Sequence, residues 1–107
     1  MNESSEKQMS DYKRLKEKYP NRFPVIVKKS VNCKNLPEID KSKFLVPEDL
    51  TVGQFVYIVR KRIKLTPEKS LYLFCNNELP PTAKLMNEIC DKNDYTYIYY
   101  SGENTFG

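Results

Sequence analysis

Apolar and polar positions divide the chain into alternating helical and strand-like segments. Between Met9 and Tyr19 the larger apolar residues are Met9, Tyr12, Leu15 and Tyr19. Spacings of three and four place them on one helical face, with lysines and an arginine opposite, so a helix is predicted over about 9–18. Pro20 should end it, because the residue before a proline avoids the helical region. Phe23-Pro-Val-Ile-Val-Lys-Lys29 is dense in β-branched residues and reads as a strand. Pro24 brings no N–H to a ladder, so the start of this strand is expected at an edge or unpaired. After a polar segment, Lys43-Phe-Leu-Val46 reads as a second strand, stopped by Pro47.

Thr51-Val-Gly-Gln54 has the spacing of a capping box, in which the threonine hydroxyl and the glutamine amide each accept from the other's backbone N–H. The helix it opens carries Val52, Phe55, Val56, Val59 and Ile63 on one continuous stripe. Arg60, Lys61, Arg62 and Lys64 crowd its last turn, where cations suit the helix dipole. Leu71-Tyr-Leu-Phe-Cys75 is a third strand and Asn76-Asn77 a turn. A short helix is predicted over about Thr82 to Cys90. The last strand is Tyr95 to Tyr100, with Tyr95, Tyr97 and Tyr99 on one face and Ile98 and Tyr100 on the other. The order helix, β-β-α-β-(short α)-β predicts an α+β domain, a four-stranded mixed sheet with one main helix on one face. The ubiquitin-like β-grasp has this order, and several small α+β folds share parts of it.

With 107 residues the chain fits one domain that can bury a core without staples. We expect a flexible segment over 1–8, the folded domain over 9–100 and a flexible tail over 101–107. The opening residues contain no apolar run of the signal-peptide kind, and the longest apolar runs are too short to span a bilayer. Cys33, Cys75 and Cys90 are odd in number and form no C-x-x-C pair, which argues against a disulfide framework and fits a reducing compartment. Without histidine a nucleophile–histidine pair is excluded and a structural zinc site is not expected. No acid–base pair or metal set is visible, so neither a catalytic residue nor a cofactor is assigned. The net charge of +4 is modest, but its lysines and arginines cluster, favouring an acidic peptide, a nucleic acid or an anionic membrane as partner. No single-strand-binding signature accompanies the tyrosines, so nucleic acid ranks low.

Several blocks then narrow the reading. They are Tyr19-Pro-Asn-Arg-Phe-Pro-Val-Ile-Val27, Phe44-Leu-Val-Pro47, Asp49-Leu-Thr-Val-Gly-Gln-Phe55, Arg60-Lys-Arg-Ile63, Leu79-Pro-Pro-Thr82 and the end Tyr100-Ser-Gly-Glu-Asn-Thr-Phe-Gly107. In this order, over roughly Lys13 to Gly107, they resemble the ubiquitin-like modifiers of autophagy, the Atg8/LC3/GABARAP family. The resemblance implies a protein tag with no catalysis of its own. An E1-like activating enzyme adenylates the terminal glycine, an E2-like conjugating enzyme receives it as a thioester, and the product is an amide with phosphatidylethanolamine. Gly107 would be the conjugation site and Thr105 and Phe106 part of the tail presented to these enzymes. A Cβ at the reacting residue would obstruct close backbone approach. A cysteine protease, which in the family removes residues after the glycine and reverses conjugation, is a further implied partner. The implied location is the cytoplasm, and the autophagosome membrane once lipid is attached; a monomer is expected.

The resemblance also implies a peptide-binding face. Family members add acidic-flanked aromatic-x-x-aliphatic motifs of cargo receptors as a strand on a sheet edge, here Lys43–Val46. The aromatic pocket would use Asp11, Leu15, Pro24, Ile26, Lys43, Leu45 and Tyr95. The aliphatic pocket would use Phe44, Val46, Pro47, Leu50, Phe55 and Ile58, with Arg22 and Arg62 attracting the acidic flanks. On periodicity alone Val46, Leu50 and Phe55 read as core, whereas Ile58 lies off the apolar stripe and needs another reason to be apolar. The chain departs from the family at its start, where one helix is expected instead of two, which puts membrane tethering and partner choice in question. Phe44 stands where tyrosine is common, and the turn before Tyr95 is short. The alternative is an adaptor that binds motifs without being conjugated, outside autophagosome formation.

Overall fold

The computed structural model describes residues 3–31 and 33–103. Its elements are α1 (Glu3–Lys18), β1 (Arg22–Lys29), β2 (Lys43–Pro47), α2 (Val52–Arg62), β3 (Tyr72–Cys75), α3 (Met86–Ile89) and β4 (Thr96–Ser101). The strands form one mixed sheet in the order β2-β1-β4-β3, with β1 parallel to β4 and the outer pairs antiparallel. This is the ubiquitin-like grasp, with α2 packed across one face.

Both faces of β1 are buried. Val25 and Val27 face α2 and join Phe55, Val59, Ile98 and Tyr100 in the main core. Ile26 faces the other way and packs with Tyr12, Leu15, Tyr95 and Tyr97 beneath α1. Tyr95 and Tyr97 therefore lie on the α1 side while Ile98 and Tyr100 lie in the core, as the alternation of the last strand requires. Tyr100 adds a hydrogen bond from its phenol to the Pro37 carbonyl at 2.6 Å, tying the loop after β1 to β4.

Pro24 sits in an interior strand, not at an edge. The Val27 N–H donates to Ser42 O at 2.7 Å, so odd-numbered residues of β1 direct their backbone groups at β2. The nitrogen of Pro24 then faces β4, whose register begins only at Val25↔Thr96. The missing N–H falls where no ladder bond is due.

The helices differ most from the sequence expectation. α1 begins at Glu3 rather than Met9, so much of the segment expected to be flexible is helical. Its early residues are polar in sequence and carry no apolar period that could announce a helix. β4 runs to Ser101, which is buried, and Gly102 packs beside Asn35, so the fold extends past residue 100. The helix expected over 82–90 is only Met86–Ile89. Residues 82–85 form a turn and a bridge instead, the Lys84 N–H closing on Pro81 O at 3.1 Å, and their carbonyls serve another element: Thr82 O accepts from the Gly53 N–H at 2.9 Å and Lys84 O from the Val52 N–H at 2.8 Å. These are the first-turn donors of α2, which its own helix cannot satisfy.

The capping box completes that turn. The Gln54 N–H donates to Thr51 Oγ1 at 3.1 Å, and the Thr51 N–H donates to Gln54 Oε1 at 2.9 Å. Thr51→Ala should destabilise the protein by about 1 kcal/mol in urea unfolding, the usual cost of an N-cap. An unchanged midpoint would mean that the Thr82 and Lys84 carbonyls alone hold the turn.

Candidate functional site

The β2 strand is the free edge beside β1. Its hydrogen-bonded pairs with β1 are Val25↔Phe44 and Phe23↔Val46, so the backbone groups of Lys43 and Leu45 point outward. One of them already has a partner: Arg22 Nη1 donates to the Leu45 carbonyl at 3.4 Å. A carbonyl has two lone pairs, so it can still accept from an added strand.

The side chains of β2 alternate between the two faces. Lys43 lies on the α1 face, its Nζ 5.3 Å from the Tyr95 ring centroid. Leu45 shares that face and is half-buried. Beneath them lie Pro24, Ile26 and Tyr95, all buried, and Leu15 of α1, half-exposed. Asp11 pairs with Arg14 at 3.8 Å. On the other face Phe44 meets Phe55 edge to face, centroids 5.6 Å apart. Val46 and Phe55 are wholly within the core, whereas Phe44, Pro47, Leu50 and Ile58 are half-buried. Arg62 is held by Asp40 at 3.3 Å.

Leu50 and Ile58 line a shallow groove of about 670 Å³ between α2 and residues 82–83. It extends over Thr51, Gly53, Gln54, Tyr57, Thr82 and Ala83, none of which the sequence reading assigned to a binding site. The detectable signal was Ile58, apolar but off the buried stripe; its neighbour Tyr57 is off it too and 60% exposed. Gly53 lets the groove wall close, since a Cβ there would stand 3.3 Å from Thr82 O.

Tyr12 is the other residue that only the structure brings in. It packs against Tyr95, centroids 5.7 Å apart, and both are about 95% buried (5% and 4% exposed). Neither phenol oxygen has a hydrogen-bond partner among the described residues. Burial, and then the carboxylates of Asp91 and Asp94, push the Tyr12 phenol above its usual range. The three cysteines are free and buried. Burial pushes the Cys90 thiol up to about 11, outweighing the Thr96 hydrogen bond that pulls it down, so at neutral pH it is not a nucleophile. Thr105, Phe106 and Gly107 lie outside the described residues. No helix among the described residues is long and apolar enough to cross a membrane.

A buried hydroxyl without a partner costs stability, and removing it should recover some. Tyr12→Phe is therefore expected to be neutral or to stabilise by about 1 kcal/mol in urea unfolding. A loss of that size would reveal a partner for the phenol.

The family model described as "Autophagy protein Atg8 ubiquitin like" matches residues 7–107. Autophagy-related protein 8a of Arabidopsis thaliana is 57% identical over 106 residues, covering 95% of this chain and 86% of the relative. Autophagy-related protein 8 of Candida glabrata is 53% identical over 106 residues, covering 95% and 89%. Among solved structures, the crystal structure of Trypanosoma brucei ATG8 superposes with a TM-score of 0.85 at 42% identity, covering 95% of this chain and 90% of that one.

Proposed function

The chain belongs to the Atg8 family of ubiquitin-like autophagy proteins, and we propose that it is conjugated through Gly107 to phosphatidylethanolamine and acts on the autophagosome membrane as an adaptor for aromatic-x-x-aliphatic motifs. The observation that carries the adaptor half is the free β2 edge with an apolar site on each face. Residues three apart on an added strand point to opposite faces. The spacing of the motif thus sends its aromatic residue to the side of Ile26, Leu45 and Tyr95. Its aliphatic residue goes to the side of Phe44, Leu50 and Ile58. Main-chain bonds to Lys43 and Leu45 supply affinity without sequence, and the two sites supply selection. Lys43 and Arg22, both exposed beside that edge, attract acidic flanks.

The conjugation half rests on the family and takes the Gly107 carboxylate as the reacting group. That carboxylate displaces pyrophosphate from ATP, and a cysteine thiolate of the activating enzyme displaces AMP. Transfer to the conjugating enzyme exchanges one thioester for another. The lipid amine then attacks the carbonyl and releases the thiol. The chain contributes an unhindered acyl group, and its partners contribute the catalytic groups. Cargo receptors with acidic-flanked motifs and a deconjugating cysteine protease are the remaining partners of this reading.

Reconstitution with family activating and conjugating enzymes, ATP and phosphatidylethanolamine liposomes should give an ATP-dependent lipid adduct at Gly107 by mass spectrometry. Gly107→Ala should give none while binding peptide normally. Lack of adduct on the natural sequence, with enzymes active on a related protein, would favour an unconjugated adaptor. Leu45→Ala with Ile58→Ala, both only half-buried, should weaken a Trp-x-x-Leu peptide by about 2 kcal/mol or more in calorimetry. Unchanged affinity in the folded variant would remove the two-site assignment.

A further inference from the structure

β4 ends at Ser101, and the chain bends there instead of running straight on. Two features hold the bend. The Glu103 N–H donates to Ser101 Oγ at 3.2 Å, a serine turn whose hydroxyl belongs to a buried residue. On its other side Gly102 is enclosed by the loop between β1 and β2. Alternation puts residue 102 on the side of Ile98 and Tyr100, which is the side of α2. A Cβ there would stand 3.2 Å from Asn35 Oδ1, 3.3 Å from Asn35 Nδ2 and 3.5 Å from Leu36 Cγ. The loop is not free to step back. Leu36 is buried in the main core, and its carbonyl accepts from the Lys29 ammonium at 3.3 Å. Lys29 also pairs with Glu38 at 3.1 Å. The Tyr100 phenol holds the Pro37 carbonyl, and the Tyr100 carbonyl accepts from the Ser30 N–H at 2.9 Å. The Cys33 thiol donates to Asn35 Oδ1 at 3.6 Å. None of these residues belongs to the β2 edge or lines the groove along α2.

We propose that Asn35 and Leu36, with the Ser101 hydroxyl, form a collar that positions the C-terminal tail for the activating enzyme. The inference rests on the conjugation reading above and gives it positioning residues within the fold. Gly107 is five residues beyond Gly102, so the reacting carboxylate reaches at most about 18 Å from the collar. Within so short a reach, the direction in which the chain leaves the fold decides where the carboxylate can go. The collar closes the side towards α2 and the serine turn sets the bend. The enzyme therefore meets a tail whose base is already aimed away from α2. With residue 102 loose, the competent direction would be held for only part of the time, and apparent affinity falls by that fraction. Once the carboxylate is seated, the attack on ATP does not depend on the collar. The signature is a change in KM with kcat unchanged. Side-chain size at residue 102 is the lever. Asn35 is exposed and can give way to a single methyl group, but Leu36 is buried and cannot. A branched side chain at 102 has to move the tail instead.

Kinetics of a family activating enzyme on the full chain test this, read as ATP–pyrophosphate exchange against the concentration of the chain. Gly102→Val should raise KM about three- to tenfold and leave kcat unchanged. Adding Asn35→Gly makes room for the valine and should return KM to within about twofold of the parent. Ser101→Ala removes the turn's acceptor without adding bulk and should also raise KM, again at constant kcat. Urea unfolding of each variant shows that the fold is kept. A raised KM that Asn35→Gly does not restore overturns the collar and places residue 102 against the enzyme itself. A fall in kcat at constant KM overturns it as well. Unchanged KM in Gly102→Val and Ser101→Ala, with the parent active, overturns the inference and leaves the conjugation reading standing. If Gly102→Val does not fold, Ser101→Ala decides alone, and an unchanged KM there overturns the inference. No exchange with the parent, by an enzyme active on a related protein, overturns the conjugation reading and this inference with it.

Discussion

The first turn of α2 is the constraint on which the rest of the structure turns. Its N–H groups have no acceptor in their own helix, and donors left unmet against the rest of the protein are costly. Thr51 meets one through its hydroxyl, and the Lys84 and Thr82 carbonyls meet two more. That solution pulls residues 82–85 out of any helix and lays them against α2. The Met86 N–H closes the junction on Leu50 O at 2.6 Å. With Leu50 and residues 82–83 so placed, the groove along α2 exists; the same bonds that cap the start of the helix build the wall of that groove.

The sheet imposes the second requirement. A central strand buried on both faces needs cover on both, and α1 supplies it through Tyr12 and Leu15 on Ile26 and Tyr95. The helix therefore closes a minor core and at the same time forms one bank of the proposed aromatic site. Under the proposed adaptor reading, altering α1 would change fold and binding together, since Tyr12 and Leu15 serve both. The aliphatic side is independent of it, resting on α2 and the segment after β3.

Local patterns were the most legible. The capping box of Thr51 and Gln54, the apolar stripe of α2 and the alternation of Tyr95 to Tyr100 follow from a few neighbouring residues, and all three appear in the structure. What depended on distant partners was not legible. The truncated α3 follows from carbonyls given to a helix some thirty residues earlier in the chain, and Pro24 is tolerated in the middle of a sheet only because of where β4 starts. The polar start of α1 carries no period to read. Of the site, the free edge and Ile58 could be suspected from sequence. Gly53, Tyr57, Thr82 and Ala83 could not, since they meet only in three dimensions. The role proposed for Gly107 rests on family resemblance, because a lone glycine has no pattern of its own.

Val46 and Phe55 show how core and site merge here. Both are fully buried, yet Phe44 rests edge-on against Phe55 and is itself half-exposed. Their contribution to a bound side chain would be to hold Phe44 in one orientation rather than to touch the ligand. A rigid floor lowers the ordering cost of binding, which is where much of the affinity of a small interface is otherwise lost. The two charged ends of the surface work in the opposite way. Lys43 and Lys61 each sit over a tyrosine ring with the ammonium left in reach of solvent. Each ring sits beside its cation without burying it, so in the proposed adaptor the charge would attract an acidic ligand while the apolar sites would decide whether it stays.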